Sequence, residues 1–315
     1  MRWLSLCLMA LGAGTACSQT YPVKPVRMVA AEAGGGGDFA ARLIAHELSA
    51  AFGQQVTVDN RGAAAGIIAG QTVAKAPPDG YTLLFYSGLI WTLPLLKEVP
   101  YDPAKELSPV THALSTANIL VVSPAVAAKS VQELIALAKA KPGTLNYASS
   151  GSGGTPHLAA ELFKTMAGVS LVHVPYKGQA AALNDLLSGL VQIMFPNAAA
   201  VAPHVKSGRL RALAITTLKP SPHYPGLPTV AASGLPGYES VVVFGMWVPA
   251  KTPVALLTRL NRETVAAVNK PDVKEKFFNV GVDTVGTTPE EFAAMIKADT
   301  LRMEKLIKSA GIRAD

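Results

Sequence analysis

Two glycine-rich runs hold the residues with the clearest chemical use. The first is Ala33, Gly34, Gly35, Gly36, Gly37 and Asp38. The second is Ser149, Ser150, Gly151, Ser152, Gly153, Gly154 and Thr155, with His157 close behind. Glycine lets a backbone come near a ligand and adopt conformations barred to other residues. The serine and threonine hydroxyls can donate to a carboxylate oxygen. Each run follows a β-rich stretch and precedes a stretch of helical periodicity. Loops so placed sit outside the carboxyl ends of strands, where parallel α/β sheets bind ligands. They also sit at helix N-termini, whose N–H groups and positive partial charge attract anions. The chemistry expected of them is capture of a small anion.

Other chemistries fail on spacing. Gly35-x-Gly37-x-x-Ala40 formally matches a dinucleotide fingerprint, with Asp59 at a suitable distance to meet a ribose. Against it, Asp38 would place a carboxylate beside the pyrophosphate. No Gly-Lys pair followed by Ser or Thr occurs, so the lysine-bearing phosphate loop is absent. Ser152 lacks a Gly-x-Ser-x-Gly elbow because Ser150 stands where the first glycine is needed. His46-Glu47 opens a zincin-like pattern, but position 50 is alanine. The six histidines (His46, His112, His157, His173, His204, His223) show no metal-ligand spacing, so neither metal nor cofactor is expected. His157 reads equally as a cleft or a surface residue, and His173 as a satisfied strand residue. No paired carboxylates mark a site for general acid–base work.

The elements that must position these loops alternate. Strands are expected at 26–31, 55–59, 81–86, 119–122, 145–148, 171–174, 191–195, 210–216 and 241–248. Helices are expected at 39–52, 66–76, 156–167, 180–187, 253–268, 271–278 and 289–310, with another capped by Ser130 and Glu133 and ending near Lys141. Strands alternating with helices predict parallel sheets. Two strand–glycine loop–helix modules, about 110 residues apart, predict two similar lobes.

The chain has 315 residues, 28 Lys+Arg against 21 Asp+Glu, and 50% hydrophobic residues with 6% aromatic. That length suggests two lobes, and the apolar composition excludes intrinsic disorder. The formal charge of +7 is spread out, without basic runs or basic–aromatic patches, so no nucleic-acid partner is expected. Residues 1–20 read as a secretory signal: Arg2, a short apolar core from Trp3 to Leu11, then small residues. Cleavage before Gln19 would remove Cys7 and Cys17 and release a soluble product. A lipoprotein site at Cys17 competes with it, although Gly14 stands where a large aliphatic residue is usual.

Together with Gly35-Gly36-Gly37-Asp38 and Ala41-Arg42, the chain carries Asp59-Asn60-Arg61, Pro78-Asp79-Gly80-Tyr81-Thr82-Leu83-Leu84 and Pro100-Tyr101-Asp102-Pro103. Further on come Leu145-Asn146-Tyr147-Ala148-Ser149-Ser150-Gly151, His157-Leu158-Ala159, His173-Val174-Pro175-Tyr176-Lys177-Gly178, Leu210-Arg211-Ala212-Leu213-Ala214 and Gly234-Leu235-Pro236-Gly237-Tyr238. From Tyr21 onward it resembles the periplasmic substrate-binding proteins of tripartite tricarboxylate transporters, the Bug family. The resemblance implies a two-lobed Venus-flytrap fold, each lobe a mostly parallel sheet flanked by helices. Lobe 1 would comprise 21–118 plus 241–315, and lobe 2 would comprise 119–240. It implies a carboxylate held between the lobes and delivered to a membrane permease. By position, the ligand loops would be Ala33 to Asp38, Ser87-Gly88, Ser149 to Thr155 with His157, and the segment from Phe195 to Asn197.

Three departures bear on the ligand. Glu32-Ala33 replaces the usual proline, Phe195-Pro196-Asn197 loses a cleft carboxylate, and Leu89-Ile90-Trp91 replaces polar residues. Together they point away from amino acids and towards a less polar, even aromatic, carboxylate. Trp91, Tyr86 or Phe244 could then cover a ring, unless Trp91 simply packs its lobe. An exported hydrolase of carboxylates or esters is the alternative, and a nucleotide-binding oxidoreductase a third reading.

Overall fold

The computed structural model describes residues 21–62 and 66–312. The expected secretory signal, with both cysteines, lies outside the described residues. The first lobe opens with β1 (Val26–Ala30), α1 (Gly36–Phe52), β2 (Val56–Asn60), α2 (Ile67–Ala74) and β3 (Thr82–Ser87). Two short helices, α3 (Leu89–Thr92) and α4 (Pro103–Glu106), lead into β4 (Leu107–Ala117). The second lobe holds β5 (Ile119–Val122), α5 (Val131–Ala140), β6 (Asn146–Ser149), α6 (Thr155–Ala167) and β7 (Val172–Pro175). It continues with α7 (Gln179–Ser188), β8 (Ile193–Met194), α8 (Ala198–Lys206) and β9 (Arg211–Ile215). The chain returns through β10 (Val241–Pro249), α9 (Val254–Asn269), α10 (Pro271–Phe278), β11 (Val282–Thr284) and α11 (Pro289–Ala310).

One sheet has the order β11-β4-β10-β3-β1-β2, and the other β7-β6-β8-β5-β9. Both are mixed, where mostly parallel sheets were expected. Among the strands of the described residues, only β1 with β2 and β3, and β6 with β7 and β8, pair in parallel. The antiparallel share comes largely from the connections between lobes. Strands β4 and β10 carry the chain out and back side by side, so they must run in opposite directions. The parallel pairs are those beside the glycine loops. β1 lies between β2 and β3, and β6 between β7 and β8, so each loop leaves a strand where the winding reverses direction. That is where open α/β sheets bind ligands.

Each sheet is covered on both faces. Helices α1, α9 and α10 bury Ile44, Leu48, Leu260 and Phe277 on one side of the first sheet. Trp91 of α3 and Phe292 of α11 pack on the other. In the second sheet, Leu134 and Phe163 of α5 and α6 face Leu186 and Val201 of α7 and α8 across the strands. Gly245 of β10 is needed for the α11 contact, since a Cβ there would lie 2.2 Å from Phe292 Cζ. The far half of α11 leaves this sheet and buries Met303, Leu306 and Ile307 against Leu158 of α6. Among the described residues, no helix is long and apolar enough to cross a membrane.

Candidate functional site

In the first loop, Gly34 takes a left-handed conformation (φ +81°) and donates its N–H to Asp38 Oδ2 at 2.9 Å. Asp38 also accepts from Asn60 Nδ2 at 2.8 Å and Arg42 Nε at 3.1 Å. The Arg42 hydrogen bond is the chief reason its carboxyl is held down at about 2. The sequence placed Asp38 among the ligand contacts. Its oxygens fasten the loop to β2 and α1. Arg42 and Asn60, the residues sequence reasoning missed as supports, were legible only as part of recurrent motifs. Helix α1 starts at Gly36 behind Gly35, a residue with no side chain to cap it. A Cβ on Gly36 would meet nothing within 4 Å.

Ser87 ends β3 and pairs with Phe244 of β10, and Gly88 donates its N–H to Val243 O at 2.9 Å. The Phe244 ring lies 3.4 Å from where a Gly37 Cβ would stand, so it links the first loop to Ser87. Trp91 is core. It is buried, donates Nε1–H to Asp299 Oδ2 at 2.9 Å, and lies against Trp247 and Phe292. Tyr86 is buried as well, and burial pushes its hydroxyl pKa upward. Of the three aromatics considered as a cover for a ligand ring, only Phe244 is partly exposed beside a loop.

The second loop is tied by its own neighbours. Ser149, fully buried at the end of β6, places Oγ 2.7 Å from His173 Nε2 on β7 and donates to Gly151 O at 3.1 Å. Gly153 donates its N–H to His157 Nδ1 at 2.9 Å, which requires that nitrogen to be unprotonated. His157 is buried and stacks on His173, ring centres 4.0 Å apart, and His173 stacks on Tyr147 at 4.8 Å. Tyr147 donates to Glu161, whose carboxylate also takes Lys164 Nζ at 2.6 Å. His157 thus shapes the loop from inside. Gly153 has φ +80°, and a Cβ there would lie 2.5 Å from Leu96 Cδ1, where a first-lobe segment reaches over. Helix α6 follows Gly154 without a side-chain cap, leading with Thr155. Ser150 and Ser152 are partly exposed on the loop.

Asn197 follows β8 and sends Nδ2 across the lobes to Thr116 Oγ1 on β4, at 3.0 Å. A cavity of about 700 Å³ is lined by Gly88, Thr92, His112, Thr155, Leu158 and Arg302 among others. Of the sequence-predicted residues it takes Gly88, Trp91 and Thr155, so neither glycine loop as a whole forms its wall. The competing chemistries also meet obstacles. Asp59, proposed for a ribose, is engaged by Arg27 and Arg61. The Ser149–His173 pair has a nucleophile–base spacing, but a fully buried hydroxyl offers a substrate no approach.

The profile of the tripartite tricarboxylate transporter family receptor matches residues 40–312. The chain belongs to this receptor family. It is 38% identical over 298 residues to the UPF0065 protein in the tcbD-tcbE intergenic region of Pseudomonas sp. (strain P51), covering 94% of this chain and 89% of that one. It is 35% identical over 300 residues to protein BugT of Bordetella pertussis (strain Tohama I), covering 94% and 92%. The structure of R. palustris Rpa4515 with adipate superposes with a TM-score of 0.81 at 38% identity, covering 93% of this chain and 99% of that one. The structure of periplasmic binding protein BugD superposes with a TM-score of 0.77 at 31% identity, and the chain has the two-lobed fold of periplasmic binding proteins.

Proposed function

We propose that this family member is an exported periplasmic receptor that captures an organic carboxylate between its lobes without transforming it, and hands it to a tripartite tricarboxylate-type permease. The observation that carries this reading is the pair of uncapped glycine loops. Each follows the middle strand of a parallel trio, one in each sheet. Neither first helical turn is capped by a side chain, so the amides of Gly36 and Gly37 in α1 and of Thr155 in α6, where Pro156 brings none, can serve a guest carboxylate. Support comes from the R. palustris relative, whose structure holds adipate.

In this reading the lobes divide at 118/119 and 240/241, and the signal at 1–20 directs export. The contact set is Ala33 to Gly37, Ser87, Gly88, Ser150 to Gly153, Thr155 and Asn197, with Asp38, Ser149 and His157 holding the loops in shape. Closure follows from tighter binding to the closed form, since equal affinity for both forms shifts nothing. Phe244 beside Gly37 keeps an aromatic guest within the class. A thermal-shift screen of aliphatic, aromatic and amino carboxylates tests the reading. At least one acid should raise the melting temperature in a concentration-dependent way, and a screen without any shift would contradict it.

A further inference from the structure

The lobes also touch away from the glycine loops. His223 stands in the loop after β9, with its side chain 5% exposed. Ser221 Oγ accepts its N–H at 3.3 Å, while Ser221 O takes the Tyr224 N–H at 3.2 Å. Tyr224 and Leu227 pack on a core of the second sheet, which fixes this turn there. The imidazole nevertheless reaches the first sheet. Its Nε2 donates to Asp283 Oδ1 on β11 at 2.9 Å. Its ring centre lies 4.3 Å from that of Phe278 on α10. Asp283 and Phe278 are themselves about half exposed, so this clasp can part without uncovering a core.

Strand order fixes where the clasp stands. In the first sheet β4 and β10 make the crossings, with β3 and β1 on one flank of them and β11 on the other. In the second sheet β5 is the crossing strand, with β8 and β6 on one flank and β9 on the other. The glycine loops leave β1 and β6, whereas Asp283 is on β11 and His223 follows β9. In each sheet, then, loop and clasp lie on opposite flanks of the crossing strands. Lobes that swing about those strands cannot bring both flanks together at once. The structure agrees: the clasp is made, and Ala33 to Gly36 lie exposed.

We infer that His223 and Asp283 set the receptor's affinity from outside the contact set: their clasp holds the lobes open and parts when the lobes close on a guest. Neither residue touches the guest. The clasp stabilises the open form alone, so it lowers the fraction of empty receptor that is closed. Apparent affinity falls with that fraction. The inference rests on the receptor reading and adds to it a determinant of binding strength.

Calorimetric titration of adipate into the wild type, Asp283→Ala and His223→Phe tests it, with the strongest binder of the thermal screen in its place should adipate not bind. Each variant should bind about three- to tenfold more tightly, a gain that a merely structural contact would not give. The double variant should gain no more than either single one, because both changes break one contact. A crystal structure of the acid-bound receptor should show His223 and Asp283 apart. Unchanged or weaker affinity in the variants, or an intact clasp beside closed glycine loops, would overturn the inference. So would variants that melt lower yet bind as the wild type does. If Asp283→Ala does not fold, His223→Phe carries the same comparison. Binding of no carboxylate at all would instead overturn the receptor reading, and this inference with it.

Discussion

At the scale of single residues, the two loops divide into groups that can meet a guest and groups that hold the backbone. Asp38 shows the difference most clearly. Its carboxyl is held at about 2 chiefly by Arg42, well under its ordinary value near 3.8. A depressed carboxyl contributes stability that is present above the unfolded value and is lost as pH falls through the folded one. Asp38→Asn should therefore cost about 1–3 kcal/mol at neutral pH. It should also remove part of the wild-type loss of stability between roughly pH 4 and pH 2. Urea unfolding at pH 6 and pH 2.5 checks both, and parallel losses in the two proteins would show that the Arg42 pair does no such work. Composition and spacing made the loops legible as anion sites. They could not show whether Asp38 and His157 face inward or outward, because Asn60, which donates to Asp38, and His173, which stacks on His157, come from other points of the folded chain.

Among the elements, most strands and helices were readable from apolar periodicity, and the exceptions have physical causes. β4 was missed although it has 11 residues. Pro109 lies within it, and its pairing with β10 shifts register twice, so no clean alternation survives in the sequence. α8 hides behind Pro203, an internal helix breaker. β11 is a three-residue edge strand whose pairing with β4 only the tertiary fold provides. Capping was half legible. Ser130 does accept the Glu133 N–H, but the Glu133 carboxylate takes the Lys129 amide, one residue before the cap. The complete box is on α11, where Thr288 and Glu291 exchange both bonds. Thr288→Ala should destabilise the protein by about 1 kcal/mol, seen as a lower urea midpoint. A midpoint that does not move would mean that α11 is held by packing alone.

In the whole molecule, two strands and one long helix join the lobes. β4 and β10 carry the chain across, Asn197 reaches Thr116, and α11 spans from Phe292 on the first sheet to Ile307 against α6. Two lobes were foreseeable from the repeated strand–loop–helix module, whereas the bridging role of α11 was not. Its exposed and buried faces follow one amphipathic pattern, and nothing in that pattern says which lobe each turn will meet. The central claim is that both glycine loops grip one carboxylate. Calorimetric titration of adipate, or of the best acid from the thermal screen, into the wild type, Gly36→Leu and Ser150→Phe tests it most directly. A Cβ at Gly36 meets open space, and Ser150 is partly exposed, so both variants should keep the wild-type fold. Each should lose at least about tenfold in affinity, roughly 1.4 kcal/mol. Wild-type affinity in either folded variant would contradict a grip shared by the two loops.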